Sequence, residues 1–467
     1  MTERLWETAP AVAERLNVPG PWELFGQRLS RFELYVDGRR TETVRGPLSV
    51  EGVGLRLFRP SADGLGVGFQ ATTDLSKTGL RRLVDDAEAT ARHARFPVRA
   101  VALPTDAPSR PHGPRVEDPE LSRDPVEAVR AYVEAALTEC SNARDVQPSF
   151  GSVRATIADT TIVNSEGLSV GYRETFAELE LALKSTGTRA ADPAGEYWVV
   201  RAMRRLDRSS LPPAAERWTT LARDVRRATA TPSGPLPVAL PASLLSEILP
   251  AAIHLRFSGV GRLRKMAVPD GSAVAAQSIS LSRDPTVDWS IGSAPVDDEG
   301  AIPPRLDLVK AGTRTDLLYD ALHAAAFERT TNGAARRGSE FGSDWCRFVG
   351  RPRPTTGTLV VDPGKDGSDE ELLEAIGEGV WIDQLGWPNP DPISGTFGGE
   401  IRIGYRIRGG KRAEPIRGGT LGGFVFSTSG EPSLLNSVRK VGSTATLEGA
   451  LLAPTVVADG LTLSGPT

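Results

Sequence analysis

The chain of 467 residues contains only two cysteines, Cys140 and Cys346. Two thiols cannot form a disulfide framework, and no Cys-x-x-Cys pair is present to chelate a metal ion. Cys140 follows aliphatic residues at helical spacing and is predicted to lie in a core, whereas Cys346 has no histidine nearby in the sequence. The scarcity of cysteine favours a reducing, cytoplasmic setting.

Long apolar runs and an excess of charge are also lacking. No stretch of about 18 apolar residues occurs, so no membrane span is predicted. Residues 1–16 lack the continuous apolar region of a signal peptide and are predicted to form an amphipathic helix. The 55 basic and 59 acidic side chains give a net charge of -4, which favours neither nucleic acid nor an anionic membrane as a partner. Two basic runs, residues 201–205 and 262–265, are most simply interpreted as solvated faces.

Sequence motifs of common nucleophile and nucleotide sites are missing. Ser339 is misplaced for a Gly-x-Ser-x-Gly elbow. Residues 363–368 superficially resemble a phosphate loop, but the first glycine is absent at the required spacing and Ser368 is predicted to cap a helix. Neither a serine-hydrolase elbow nor nucleotide binding is therefore predicted.

Alternating apolar residues and amphipathic segments predict long antiparallel strands with helices in the first half of the chain. An Asp37-Gly38 turn predicts a hairpin. Seven prolines within residues 97–125 predict an extended connector without regular structure. We therefore predict an N-terminal α+β domain, residues 1–232, whose sub-units 1–97 and 125–232 are joined by that linker.

Residues 233–467 are rich in glycine and in short strand-like segments. Ser368 and Glu371 form a capping box, which predicts one well-marked helix. Glycine-punctuated hairpins are predicted over residues 395–423. The expected C-terminal domain is mainly β with a few helices, so the whole chain is predicted to be a two-domain α+β protein with an α/β N-terminal half.

Asp297, Asp298 and Glu299 form a dense acidic cluster. Carboxylates this close can bind a hard cation or act as acid and base. Because regular Asp-x-Asp-x-Asp spacing is absent, a turn that caps neighbouring backbone is the other interpretation. Both stay open at the level of sequence.

The chain has four histidines, and His254 in the segment LPAAIHLRFSG is the one whose setting suggests a metal ligand. Glu247 precedes it by two helical turns, but Pro250 lies between them and is predicted to break the helix. The remaining histidines are predicted to be poor ligands or packed helix residues: His93, His112 and His323.

Several segments, in order over nearly the whole chain, resemble the TldD/PmbA family. They include VEGVGLRLF followed by GFQATTDLS, then NSEG, DDEG, TNGAARR and the closing APTVVADGLTLSG. The resemblance implies two-domain cytoplasmic proteins that form dimers. In this family TldD-type members are zinc metallopeptidases acting on unfolded peptides and modified peptide precursors. Their zinc site uses His-Glu-x-x-x-His and a late cysteine, with the glutamate as general base, whereas the PmbA (TldE) type lacks these groups and partners the catalytic subunit.

In the register that the resemblance implies, Leu249 replaces the first histidine, Pro250 replaces the glutamate and His254 is the second histidine. No cysteine occurs in residues 445–454, where the family ligand is expected. Leucine cannot coordinate zinc, and proline cannot accept a proton from zinc-bound water. The resemblance thus implies a degenerate zinc motif and no metal bound by this chain, with zinc expected in the partner subunit.

The expected function is that of a PmbA/TldE-like, non-catalytic subunit. It would pair with a TldD-like zinc metallopeptidase in the proteolysis or maturation of unfolded or modified peptides, which exposed strands could bind by β-augmentation. One alternative is a stand-alone homodimeric peptide hydrolase that uses Asp297, Asp298 and Glu299 without zinc. Another is a peptide-binding scaffold without a protease partner.

Overall fold

The structure is a computed structural model that describes residues 20–105, 113–187, 194–338 and 346–466. The predicted N-terminal helix, His112 and Ser339 lie outside these residues. Most strands belong to two large sheets, one in each half of the chain. This arrangement confirms the predicted α+β class.

The first sheet contains eight antiparallel strands in the order β5-β4-β3-β1-β6-β7-β8, with β2 paired to β1. Its strands are β1 (Trp22–Asp37), β2 (Arg40–Thr41), β3 (Arg45–Ser61), β4 (Gly64–Thr72), β5 (Arg95–Phe96), β6 (Val146–Asn164), β7 (Ser169–Ser185) and β8 (Gly195–Met203).

Strand β6 pairs with β1 along almost its whole length, from Glu23 opposite Asn164 to Asp37 opposite Phe150. The two predicted sub-units therefore share one continuous sheet. The predicted turn at Asp37-Gly38 is confirmed, since Asp37 pairs with Arg40 across it.

Four helices of the N-terminal half cover this sheet: α1 (Lys77–His93), α2 (Pro119–Arg123), α3 (Pro125–Ser141) and α4 (Leu211–Arg227). Helices α3 and α4 share an apolar core with β6 and β7, and α1 packs on β3 and β4. Helix α2 lies within the proline-rich linker, where no regular structure was predicted. That prediction is wrong at residues 119–123, because Asp118 caps the helix and Pro119 occupies its first turn, where proline is favoured.

The second sheet contains thirteen strands, ordered β13-β12-β11-β16-β22-β10-β17-β18-β19-β9, with β20 paired to β18 and β23, and β21 paired to β22. Its strands are β9 (Thr229–Ala230), β10 (Val238–Leu240), β11 (Leu281–Arg283), β12 (Leu306–Lys310), β13 (Thr313–Arg314), β16 (Leu359–Val361), β17 (Gly379–Gly386), β18 (Thr396–Arg408), β19 (Lys411–Arg417), β20 (Thr420–Phe424), β21 (Val438–Glu448), β22 (Leu451–Ala458) and β23 (Thr462–Ser464).

A separate two-stranded sheet joins β14 (Ala335–Arg336) to β15 (Arg353–Pro354). The helices described in this half are α5 (Ala242–Ile253), α6 (Gly259–Leu263), α7 (Ala321–Ala325) and α8 (Asp369–Ile376). The predicted capping box is present at the start of α8, where Ser368 and Glu371 exchange side-chain to backbone hydrogen bonds. In the described residues, no helix is both long and apolar enough to cross a membrane.

The two halves meet in several places, and in one of them the turn Arg347–Val349 lies against β3. A Cβ atom on Gly52 would approach the Phe348 ring to 2.3 Å, and one on Gly54 would approach the Phe348 carbonyl oxygen to 2.3 Å. Glycine at both positions therefore lets the turn sit directly on the strand. This close approach positions the charged groups described below.

Candidate functional site

Leu249 and Pro250 lie in helix α5 and His254 follows its last residue; these are the three positions predicted to form a degenerate zinc motif. Leu249 is only 1% exposed and packs in the main C-terminal core beside Ile248 and Ile253. Pro250 is half-buried inside the helix, which continues to Ile253, with His254 as its C-terminal cap. The prediction that Pro250 breaks the helix is wrong. Pro250 lies in the last turn, so its missing N–H removes a single backbone hydrogen bond near the helix end.

The His254 imidazole is turned back onto its own helix. Its backbone N–H donates to the Pro250 carbonyl at 3.2 Å, and Nδ1 lies 3.0 Å from the Ala251 carbonyl oxygen. Because a carbonyl only accepts, Nδ1 carries the proton and one lone pair remains, on Nε2. Burial lowers the pKa of His254, and the nearby Arg353 charge adds to this effect, so the ring is neutral at pH 7.

The residues around His254 do not fit a zinc ion. Glu247 is exposed, and partial loss of hydration raises its pKa to about 7. In the β21–β22 hairpin, Glu448 pairs with Leu451 and no thiol is present. Across the described ranges, no three His, Cys, Asp or Glu side chains come together as a metal site. A single imidazole nitrogen falls short of the three protein ligands that zinc keeps in catalytic sites.

The other histidines and both cysteines lie elsewhere. His93 is the last residue of α1, and the half-buried His323 in α7 contacts Asp320 through Nδ1 at 2.7 Å. Cys140 is buried in α3, where burial raises its pKa to about 12, and burial also raises the pKa of the half-buried Cys346. Burial thus disfavours the thiolate form of both cysteines, which is the form that binds metals.

The acidic cluster lies between β11 and β12 and is sealed from solvent. Asp297 is 5% exposed, and Asp298 and Glu299 are fully buried. The Asp297 carboxylate accepts backbone N–H groups of Glu299, Ala301 and Ala335 at 3.0, 2.8 and 3.1 Å. Burial raises the pKa of Asp297 to about 7.

The carboxylates of Asp298 and Glu299 also accept hydrogen bonds at both of their oxygens. Asp298 accepts from the Arg347 guanidinium and from the Arg337 backbone N–H. Glu299 accepts from the Arg56 guanidinium and from the Ala321 backbone N–H. Because every carboxylate oxygen of the cluster already accepts a hydrogen bond, the contacts favour the capping interpretation over acid–base catalysis.

The cluster forms part of a larger set of charges that joins the two halves. Glu23 on β1 pairs with Arg56 on β3 and with Arg337, and Glu174 on β7 pairs with Arg204 and Arg347. All these side chains are 6% exposed or less. We call this set the buried ion-pair network; its members are Glu23, Arg56, Glu174, Arg204, Asp298, Glu299, Arg337 and Arg347.

Arg204 holds the backbone of a loop in addition to pairing with Glu174. Its guanidinium donates to the carbonyl oxygens of Ser290, Ile291 and Ser293 at 3.2, 3.0 and 2.9 Å. These residues belong to the C-terminal half, whereas Arg204 directly follows β8. Arg204 thus positions the loop that leads into the acidic cluster.

The sequence interpretation missed the network. Arg204 belongs to the basic run 201–205, which was interpreted as a solvated face, and that interpretation is wrong at this residue because only 2% of it is exposed. The acidic cluster was the sequence feature that could have indicated the network, because carboxylates that become buried need cationic partners. Which arginines supply them depends on contacts between residues more than 170 positions apart, such as Glu174 and Arg347.

Comparison with known proteins identifies the family. A sequence model of the PmbA/TldA metallopeptidase C-terminal domain matches residues 233–465, and a model of PmbA/TldA metallopeptidase domain 1 matches residues 22–91. The chain belongs to the TldD/PmbA family. The first match spans nearly all of the C-terminal half, and the second spans residues 22–91 of the N-terminal half.

Curated relatives of this TldD/PmbA-family chain align over part of their length. An uncharacterized protein of Methanocaldococcus jannaschii is 28% identical over 191 residues, which is 41% of each chain. A metalloprotease TldD homolog of Haemophilus influenzae is 26% identical over 198 residues, 42% of this chain and 39% of the relative. The aligned region therefore spans about two fifths of these relatives.

Solved structures match the whole fold. TldE from Thermococcus kodakarensis superimposes with a TM-score of 0.76 at 15% identity, covering 99% of this chain and 100% of that chain. A putative modulator of a DNA gyrase from Thermotoga maritima superimposes with a TM-score of 0.78 at 17% identity, covering 100% of both chains. The fold is thus that of TldE.

Proposed function

We propose that this chain is a TldE-like, non-catalytic subunit that pairs with a TldD-like zinc metallopeptidase in the cytoplasm. The pair would carry out proteolysis or maturation of unfolded or modified peptides. The observation that carries the proposal is helix α5, which buries Leu249 in the core and has Pro250 where a zinc peptidase of this family has a ligand and its general base. Zinc is then supplied by the partner subunit and not by this chain.

Two further observations support a non-catalytic role. The His254 ring has one lone pair open, on Nε2, and no set of three His, Cys, Asp or Glu side chains gathers as a metal site in the described part of the chain. The carboxylates of the acidic cluster are buried and fully hydrogen-bonded, which argues against the alternative of a homodimeric hydrolase acting through them. The contribution of this chain is then to enclose and orient peptide, with exposed strands binding its main chain.

The decisive experiment is reconstitution with a TldD-like protein from the same host that carries His-Glu-x-x-x-His. The chain alone, the partner alone and the mixture are compared for hydrolysis of an unfolded peptide and for zinc content. We expect no turnover and no stoichiometric zinc in the chain alone, and turnover with about one zinc per heterodimer in the mixture.

Two variants sharpen this test. Replacing the glutamate of the partner's motif by glutamine should abolish turnover, because the general base is lost. His254→Ala in this chain should leave zinc content and turnover of the mixture unchanged. Stoichiometric zinc or turnover in the purified chain alone would contradict the proposal. So would peptide binding by the chain without any complex forming, which would favour the scaffold alternative.

A further inference from the structure

A concave basic pocket opens on the C-terminal half, with a volume of about 270 Å³. Four cationic side chains and two carboxylates line it, together with Tyr319 and small apolar residues. We call it the basic pocket; its charged members are Arg262, Lys265, Asp270, Arg314, Asp316 and Arg329.

The cations come from three separate parts of the chain. Arg262 and Lys265 lie at the end of α6, Arg314 lies in β13, and Arg329 follows α7. Four cations against two carboxylates leave an excess of two positive charges in one concavity. Positive charges gathered in a cleft focus a positive potential there and repel one another. A ligand with two negative charges would offset the excess, so the pocket favours a dianion.

Two of the arginines are held in place before any ligand arrives. The Arg314 side chain is 8% exposed; its Nε donates to the Pro269 carbonyl at 3.1 Å and its Nη2 pairs with Asp270 at 3.1 Å. Arg262 donates to the Tyr319 hydroxyl at 2.9 Å, and its guanidinium lies 4.2 Å from the Phe327 ring centroid. Positioned guanidiniums suit the fixed geometry of an oxyanion.

Lys265 differs from the arginines because its ammonium group has no hydrogen-bond or ion-pair partner within the described ranges. Its backbone has a φ of 59°, in the left-handed region. Its N–H donates to the Arg262 carbonyl at 3.1 Å, and the Met266 N–H donates to the Gly261 carbonyl at 2.7 Å. These two bonds define a Schellman motif, whose left-handed position is normally glycine because a Cβ atom is strained there. A lysine thus occupies a strained position with its ammonium group unpaired.

We propose that the basic pocket binds a small oxyanion with two negative charges, either a phosphate or a dicarboxylate, and that Lys265 contacts it directly. Arg262 and Arg314 supply the fixed side of the site, and the ammonium of Lys265 closes it. The volume lies just below the roughly 300–1000 Å³ of pockets for drug-sized ligands, as expected for a small anion. This site goes beyond the proposed function and does not depend on a partner subunit.

Calorimetric titration of the full chain with inorganic phosphate, and separately with succinate, tests the proposal. We expect one anion bound per chain at millimolar concentration or below. Lys265→Gly should weaken binding about tenfold or more, since a charge-assisted contact is lost. The same variant should melt at an equal or higher temperature, because glycine relieves the left-handed strain. Binding of phosphate alone identifies a phosphoryl ligand, and binding of succinate alone identifies a dicarboxylate.

Two matched variants separate a local contact from bulk charge. Lys265→Gln removes the charge but keeps the strained side chain, and it should weaken binding as Lys265→Gly does. Lys411→Gln makes the same charge change on β19, which lies toward the opposite end of the same sheet from β13, and it should keep wild-type affinity. The proposal is overturned if neither anion binds, if Lys265→Gly binds like the wild type, or if Lys411→Gln loses as much affinity as Lys265→Gln.

Discussion

Glu174 is a buried carboxylate on β7 that is flanked by two guanidiniums, those of Arg204 and Arg347. Burial by itself would raise its pKa, but the two positive charges overcome that effect and lower the pKa to about 2. Because the same carboxyl titrates near 4.5 in an unfolded chain, its ionised form is a stabilising feature of the fold.

The stability that Glu174 provides should therefore be fully present above about pH 4.5 and be lost as the pH falls toward about 2. In that window the unfolded state binds the proton first, so protonation favours unfolding. The shift corresponds to about 3 kcal/mol. Urea unfolding at a series of acidic pH values measures this loss directly.

The variant Glu174→Gln tests whether Glu174 causes this loss of stability in acid. It should reduce the free energy of unfolding at neutral pH by roughly 3–5 kcal/mol, because the buried Arg204 loses its carboxylate partner and Arg347 keeps only Asp298. It should also flatten the acid dependence between about pH 4.5 and about pH 2. Glu180→Gln, on the same strand but half-buried, should keep the wild-type acid dependence. If Glu174→Gln kept the wild-type acid dependence, other groups would be responsible for the loss of stability.

At the scale of elements, helix α5 should respond in opposite directions to two neighbouring substitutions. Leu249→Ala leaves a cavity in the core and should cost roughly 2–5 kcal/mol of stability. Pro250→Ala restores a backbone N–H to the last turn and should raise stability by roughly 1 kcal/mol. Thermal unfolding of the two variants measures both effects. A destabilised Pro250→Ala would mean that the proline ring is needed for packing.

Elements with strong local signals could be predicted from the sequence. The Asp37-Gly38 hairpin and the capping box of α8 depend on residues adjacent in the chain, and both are present. Helix α2 and the continuation of α5 through Pro250 were missed, because proline is tolerated near helix ends when caps and packing support them.

The candidate site was predictable only in part, since a family resemblance can indicate which residues occupy the zinc-motif positions but not what surrounds them. The burial of Leu249 follows from the packing of α5 in the core, and the contact of the His254 ring with the Ala251 carbonyl follows from its place at the end of that helix. The pairing of Glu23 with Arg337 joins residues 314 positions apart, and no local pattern encodes it.

At the scale of the whole molecule, the buried ion-pair network should make the two halves unfold together. Arg347 contacts Glu174 of the first sheet and Asp298 of the C-terminal half, and the adjacent Phe348 lies on Gly52. Differential scanning calorimetry of the wild type should therefore show one cooperative transition.

Arg347→Met tests this coupling, because it removes the cation that Glu174 and Asp298 share. Among the described residues, Glu174 then keeps only Arg204, and Asp298 keeps only Arg336 at 4.0 Å, so the change should cost about 3 kcal/mol or more. We expect its transition to move to lower temperature and to separate into two. Arg351→Met, an exposed arginine four residues later, is the control and should keep a single transition near the wild-type temperature. Two transitions already present in the wild type would contradict the coupling.

The composition of the network also bears on how the chain assembles as it is synthesised. The N-terminal half brings two acids and two bases, Glu23, Arg56, Glu174 and Arg204, and the C-terminal half brings Asp298, Glu299, Arg337 and Arg347. The network members of each half therefore have formal charges that sum to zero. The surface that the second half covers carries these charges beside apolar residues such as Phe25 and Ile162, so the first half alone would expose both. Cross-half pairs such as Glu23 with Arg337 and Glu174 with Arg347 then favour the chain's own second half over an unrelated apolar surface.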